Sequence, residues 1–221
     1  MKNIVIIGGG NQAHYTIDII EKEGKYNIVG IIDSIHEIGT YRFGYKILGR
    51  QENIVDIIKE HNINGGIIAV GDNWSRCNIF LQISALTTNF EFINAIHPSV
   101  IIGNNVKLGK GIIAMAGVIF NPKSLIGDFT FFATGAQVEH DCIICDFASI
   151  SAGSVLGGHV RLGLHSAITL GVTILDRLEI GDNTVVGAGS LVLKSLPDNV
   201  LAYGNPAKII KNRVIGEKFL K

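Results

Sequence analysis

The chain has 221 residues, enough for one large domain or two small ones, each with a core of its own. Its 19 Lys and Arg balance 19 Asp and Glu, so no net field draws in nucleic acid or an anionic membrane. Hydrophobic residues reach 47% against 17% charged, more apolar surface than a solvated monomer needs to hide, which points to subunit contacts.

The opening MKNIVIIGGG has an apolar run too short for a signal-peptide core, and no apolar run is long enough to span a bilayer, so a soluble cytoplasmic protein is expected. Cys77, Cys142 and Cys145 form no disulfide framework, and the Cys142/Cys145 pair has no second CxxC to complete a zinc site. They read as reduced, buried thiols.

NIVIIGGGNQAHYTIDII reads as strand, glycine turn and helix, with Ala13, Ile17 and Ile20 on one helix face. Gly8, Gly10 and Ala13 fit G-x-G-x-x-G/A, and a second strand, IVGIID, ends at Asp33. Such a turn lets backbone approach a phosphate at a helix N-terminus, while the acid accepts hydrogen bonds from a ligand's polar edge. A third strand, GGIIAVGDN, ends in Gly71-Asp72-Asn73. The unit runs only to about residue 95, room for one mononucleotide half rather than a dinucleotide site. His97-Pro98 sets an extended junction, Trp74 reads equally as a packing residue or an acceptor contact, and His14 lies in the first helix.

From Ile102, every sixth residue to Val192 is apolar. Glycine often follows the anchor, as at Gly103, Gly109, Gly127, Gly157, Gly163, Gly181 and Gly187, and four residues after it the side chain is small or β-branched, as at Cys142, Ala148 and Ser154. A period of six is the signature of a parallel β-helix, three hexads to a coil, with the anchors stacked inside, small residues at the corners and glycine easing the turns. The fold class is therefore a Rossmann-like α/β N-terminal domain, 1–95, a parallel β-helix, 96–197, and a C-terminal cap, 198–221, expected as a closing turn and short helix.

GGGNQAH, AIHPSVIIG, VEHD and AYGNPAK together resemble the bacterial sugar acyltransferases of the sialic-acid O-acetyltransferase and nucleotide-aminosugar N-acetyltransferase kind. The resemblance implies a left-handed wind, a homotrimer with active sites between subunits, and acetyl-CoA as co-substrate with no metal. It places the catalytic base at His140 and its supporting acid at Asp141. It assigns nucleotide-sugar contacts to Gly10, Asn11, Gln12, Asp33, Ser34 and Gly71, and coenzyme A contacts to Ser149, Leu170 and Ala188, with Gly158 nearby. The chain departs from the family at Asn11-Gln12, where Gly-His is usual, at Ser149, where a second histidine is usual, and at His159, which replaces a small or amide residue.

Two residues after its anchor Val138, His140 stands near a corner and can face a groove between prisms, where an imidazole of near-neutral pKa takes a proton from an attacking amine or hydroxyl. A neighbouring carboxylate favours the imidazolium so formed, and backbone N–H groups of the next coil could hold the oxyanion. The expected activity is N-acetylation of the 4-amino group of a nucleotide-linked amino-deoxysugar by direct transfer. The alternatives are O-acetylation of a sialic acid or related sugar, a zinc hydrolase using His140, His159 and His165, and a non-catalytic nucleotide-binding protein.

Overall fold

The β-branched run after Met1 forms β1 (Lys2–Ile7), whose last four residues are wholly buried, as a central parallel strand requires. α1 (Asn11–Glu23) buries Ala13, Ile17 and Ile20 together with Thr16 and Ile19, and ends at Gly24 in the left-handed conformation. β2 (Tyr26–Ile32), β3 (Tyr41–Arg42), β4 (Tyr45–Gly49), α2 (Ile54–His61), β5 (Gly65–Ile68), α3 (Asn73–Leu86) and β6 (Glu91–Phe92) follow. The sheet order is β3-β4-β2-β1-β5-β6, parallel except for the β3/β4 hairpin. The order turns back on itself at β1, so the carboxyl ends of β1, β2 and β5 lie side by side.

This computed structural model describes residues 1–219; Leu220 and Lys221, the end of the expected cap, lie outside the described residues. The chain forms two compact units, Met1–Gly71 with Ser75–Pro98, and Asp72–Trp74 with Ser99–Lys221.

In the second unit, two-residue strands recur every six residues from Ile101–Ile102 to Leu191–Val192. They stack in parallel with a shift of 18 residues per coil, Gln137 beside Val155 and Ser149 beside Ala167, as a left-handed β-helix. One ladder runs through Ile113, Phe131, Ser149, Ala167 and Val185; a second through Ile101, Ile119, Gln137, Val155, Thr173 and Leu191; a third through Lys107, Leu125, Ile143, Arg161 and Glu179. The anchors from Ala114 to Val192 are buried, whereas Ile102, first on its ladder with no coil before it, is 47% exposed.

Three expectations need correction. The glycines that follow the anchors do not relieve a strained turn, because the left-handed corner comes two residues later, at Gly111, Phe129, Asp141, His159 and their equivalents. Gly109, Gly127, Gly157, Gly163 and Gly181 make room for an aspartate of the next coil, while Gly103 and Gly187 face Pro122 and Tyr203: a Cβ on Gly127 would stand 2.5 Å from Asp146 Oδ1, which accepts the Asp128 N–H at 2.8 Å. Among the described residues the cap holds no helix. Val200–Gly204 and Ala207–Asn212 form an antiparallel hairpin around Gly204-Asn205-Pro206, because Val200–Gly204 extends the first ladder, Leu201 beside Val185, and its open edge takes a partner strand. Of the three cysteines only Cys142 is fully buried; Cys77 and Cys145 are half-buried.

Candidate active site

His140 leads into a corner that Asp141 completes in the left-handed conformation, φ 57°. Since interior positions belong to the anchors and small residues, both side chains project from the prism edge, the imidazole 53% and the carboxylate 35% exposed. His140 Nδ1 and Asp141 Oδ2 are 2.9 Å apart. With Nδ1–H donated to the carboxylate, Nε2 carries a free lone pair, the tautomer a general base needs. That hydrogen bond outweighs partial desolvation and, with the charges of Lys123 and His159, holds the Asp141 carboxyl below the ordinary 3.8.

One coil further on, Gly158 forms the floor beneath the ring: a Cβ there would lie 2.7 Å from His140 Nε2 and 2.8 Å from Cε1. The resemblance sets Gly158 near the coenzyme; in the fold, what a side chain there would meet is the His140 imidazole. Its own N–H donates to Asp176 Oδ1 at 3.0 Å, so it is not a vacant oxyanion donor. His159 follows as a left-handed corner residue, φ 59°, and donates its backbone N–H to the His140 carbonyl at 3.0 Å. The two imidazoles meet edge to face, with centroids 5.2 Å apart. His159 stands one coil after Asp141, which brings its ring against His140, as only the zinc alternative among the sequence readings had them.

His165 belongs elsewhere: its ring stacks on Trp74 at 3.9 Å and on Phe147 at 5.3 Å. Trp74 also donates to Asn183 Oδ1, so both are packing residues, and within one chain His165 does not join His140 and His159. Cys142 is enclosed 3.2 Å from the Gly157 carbonyl, and burial pushes its thiol up to about 11, which leaves it no thiolate for an acyl-enzyme.

Apart from Gly158, the positions assigned to coenzyme A do not converge on His140 within one chain. Leu170 and Ala188 are exposed and one coil apart on the corner joining the first and second ladders, whereas His140 lies on the corner joining the second and third. Ser149 is buried on the first ladder, and its Oγ has no hydrogen-bond partner.

In the first unit, Gly10, Asn11 and Gln12 follow β1, Asp33 and Ser34 follow β2, and Gly71 comes after β5, so neighbouring strands bring the three groups to one sheet edge. Gly8 turns at φ 106°, where a Cβ would strike Val70 and the Ala69 carbonyl. Gly10 has open space around it, no side chain caps α1, and Gln12 Nε2 is buried without a partner. Asp33 differs from expectation. Oδ1 accepts the Gly9 N–H at 2.8 Å, and Oδ2 accepts the Ile35 and His36 N–H groups and faces His36 Nδ1 at 2.6 Å. Burial raises this carboxyl's pKa, yet those bonds outweigh it and hold the group below its ordinary value. The acid therefore organises the loop and has little capacity left for a ligand. His36, missed in the sequence, is held at this edge by its contact with Asp33, while Arg50 clamps the loop through the Asp33 and His36 carbonyls.

Residues 3–83 match the PglD N-terminal domain. The structure of PerB from Caulobacter crescentus, in complex with CoA and GDP-perosamine, is 34% identical, with 96% of this chain and 98% of that chain covered and a TM-score of 0.88. Perosamine N-acetyltransferase from the same organism was also solved with a histidine replaced by asparagine, bound to CoA and GDP-perosamine, at 33% identity over the same shares and with the same TM-score of 0.88. The acetyltransferase domain of PglB from Neisseria gonorrhoeae, in complex with acetyl coenzyme A, is 27% identical over 95% of this chain and 99% of that one, TM-score 0.86. Curated relatives match over less of their length: serine acetyltransferase 4 of Arabidopsis thaliana, 33% identical, spans 47% of this chain, which covers 35% of that protein. Galactoside O-acetyltransferase of Escherichia coli, also 33% identical, spans 49% of this chain and 55% of its own length. The match across both units shows that the chain belongs to the sugar N-acetyltransferase family of left-handed β-helix proteins.

Proposed function

We propose that the protein transfers the acetyl group of acetyl-CoA to the 4-amino group of a nucleotide-linked amino-deoxysugar, with His140 as general base. The observation that carries the proposal is the His140–Asp141 pair on a prism edge, with Nδ1 held at 2.9 Å and Nε2 free. The neutral amine attacks the thioester carbonyl and Nε2 takes its proton. The tetrahedral intermediate then expels the thiolate, the imidazolium returns the proton to sulfur, and amide and free thiol are the products. Asp141 orients the ring and favours the charge it carries midway. No covalent acyl-enzyme is needed, in keeping with the buried Cys142.

A nucleotide-linked acceptor accounts for the first unit, whose open α1 terminus and glycine turn suit a phosphate and whose loop offers Gly10, Asn11, Gln12, Ser34, Gly71 and His36 as contacts. Perosamine N-acetyltransferase, solved with CoA and GDP-perosamine, spans both units, whereas the O-acetyltransferase match covers about half the chain. A homotrimer would bring the Leu170 and Ala188 corner of one protomer towards the His140 corner of the next, and exposed Leu170, Leu125 and Ile143 on the prism surface suit such seams. The enzyme would work in the cytoplasm, where both substrates are found, and prepare a sugar for polysaccharide assembly.

The test is a thiol-release screen of UDP-, dTDP- and GDP-linked 4-amino-6-deoxysugars beside free sialic acid. Turnover of one nucleotide-linked sugar, reduced about 10²- to 10⁴-fold in His140→Ala, is expected. Turnover of the free sugar alone, or an unimpaired variant, refutes the proposal.

A further inference from the structure

His140, Asp141 and His159 each offer a donor atom, and the three atoms lie within 4.8 Å of one another. Both imidazoles are exposed and Asp141 is half-buried, so an ion can reach them from solvent. Zinc takes imidazole nitrogen and carboxylate oxygen at about 2.0–2.1 Å, which sets tetrahedral donors about 3.4 Å apart, a closure that side-chain rotation supplies on an exposed edge. Two nitrogens and one oxygen suit a borderline cation and not magnesium or calcium, which ask for oxygen alone. The backbone fixes the arrangement, because the His159 N–H is bonded to the His140 carbonyl and both Asp141 and His159 sit at left-handed corners one coil apart. Lys123, on the same corner column one coil earlier, opposes a cation, which argues for modest affinity.

We propose that His140, Asp141 and His159 form a binding site for a single divalent cation of the zinc class, and that the bound ion stops acetyl transfer by occupying the base. The inhibition rests on the role proposed for His140; the cation site does not. His159 is thus the residue that makes this edge metal-sensitive. A protein with the same His140–Asp141 pair but a small residue at the position of His159 would offer two donors and hold such an ion poorly.

Tag-free protein titrated with Co2+ should develop ligand-field absorption saturating at one equivalent, and Zn2+ should displace it. His159→Asn should bind at least tenfold more weakly, with circular dichroism and thermal unfolding unchanged. No absorption, or equal affinity in the variant, overturns the site. In initial-rate assays that follow the thioester absorbance, Zn2+ should inhibit reversibly with EDTA, and inhibition of His159→Asn should need at least tenfold more ion. Cation binding that depends on His159 but leaves the rate unaltered overturns the inhibition and the assignment of His140 as base, and leaves the cation site standing.

Discussion

Gly158→Ala isolates the positioning of the base from its chemistry. The new methyl would stand 2.7 Å from His140 Nε2, whereas unstrained contacts are about 3.5 Å or more, so the ring must retreat by about 1 Å. Gly158 is not among the positive-φ glycines, so alanine fits the backbone, and a side chain 53% exposed can turn outward at a cost of about 1 kcal/mol or less. A displacement of that size at a reacting centre is worth about 100-fold in rate. We expect kcat to fall about 100-fold with KM for both substrates near wild type and thermal unfolding hardly moved, measured by steady-state kinetics and a melting scan. An unchanged kcat would show that Gly158 does not set the ring's place. A rise confined to KM for acetyl-CoA would restore this glycine to the coenzyme contact that the sequence suggests.

Asp141, held below 3.8, keeps its bond to His140 at higher pH and loses it only as pH falls through its depressed value. The rate profile between about pH 5 and 9 should therefore carry no titration of Asp141, and Asp141→Asn should lower kcat without removing an ionisation from that window. Cys142→Ala should retain turnover, and the wild-type thiol should resist iodoacetamide until the protein unfolds; loss of turnover with intact folding would revive an acyl-enzyme. Gly127→Ala places a methyl 2.5 Å from Asp146 Oδ1 and 2.7 Å from its backbone nitrogen, and it should cost about 1–3 kcal/mol, because paired coils cannot separate. Thermal unfolding reads that loss, and a melting temperature equal to wild type would refute the role given to the aspartates.

The prism was legible because its code is redundant: each coil repeats apolar anchor and small corner, so Ile102 at an exposed end does not hide the phase. What glycine does in the repeat was not legible, since φ and close approach leave the same residue in the sequence. The aspartates that explain it sit 19 positions on, as Asp128 after Gly109 and Asp146 after Gly127. The cap was misread because DNVLAYGNPAKII mixes turn and β-branched residues, and only the free edge of the first ladder favours a hairpin. In the first unit the glycine turn and helix face were plain, whereas the saturation of Asp33 depends on His36, three residues later, and on a local loop that no periodicity announces. At the candidate site the sequence singled out His140–Asp141, yet Ser149, Leu170 and Ala188 lie on another ladder and another corner. One chain alone does not bring them to the imidazole.

The corner column explains why so regular a scaffold can hold a reactive imidazole. A shift of 18 residues per coil stacks Lys123, Asp141, His159 and Arg177 at successive left-handed turns, three of them cationic or able to become so, with Asp141 the sole acid. That carboxylate is therefore claimed from several sides, stays ionised, and orients whichever neighbour lies closest, which is the His140 ring at 2.9 Å. Because the turns are locked by backbone bonds between coils, such as the His159 N–H to the His140 carbonyl, the ring is positioned by secondary structure and not by a loop. The same rigidity makes its surroundings specific to this chain. A change at one corner, histidine for a smaller residue at 159, sets a second imidazole against the first without disturbing the winding that carries both.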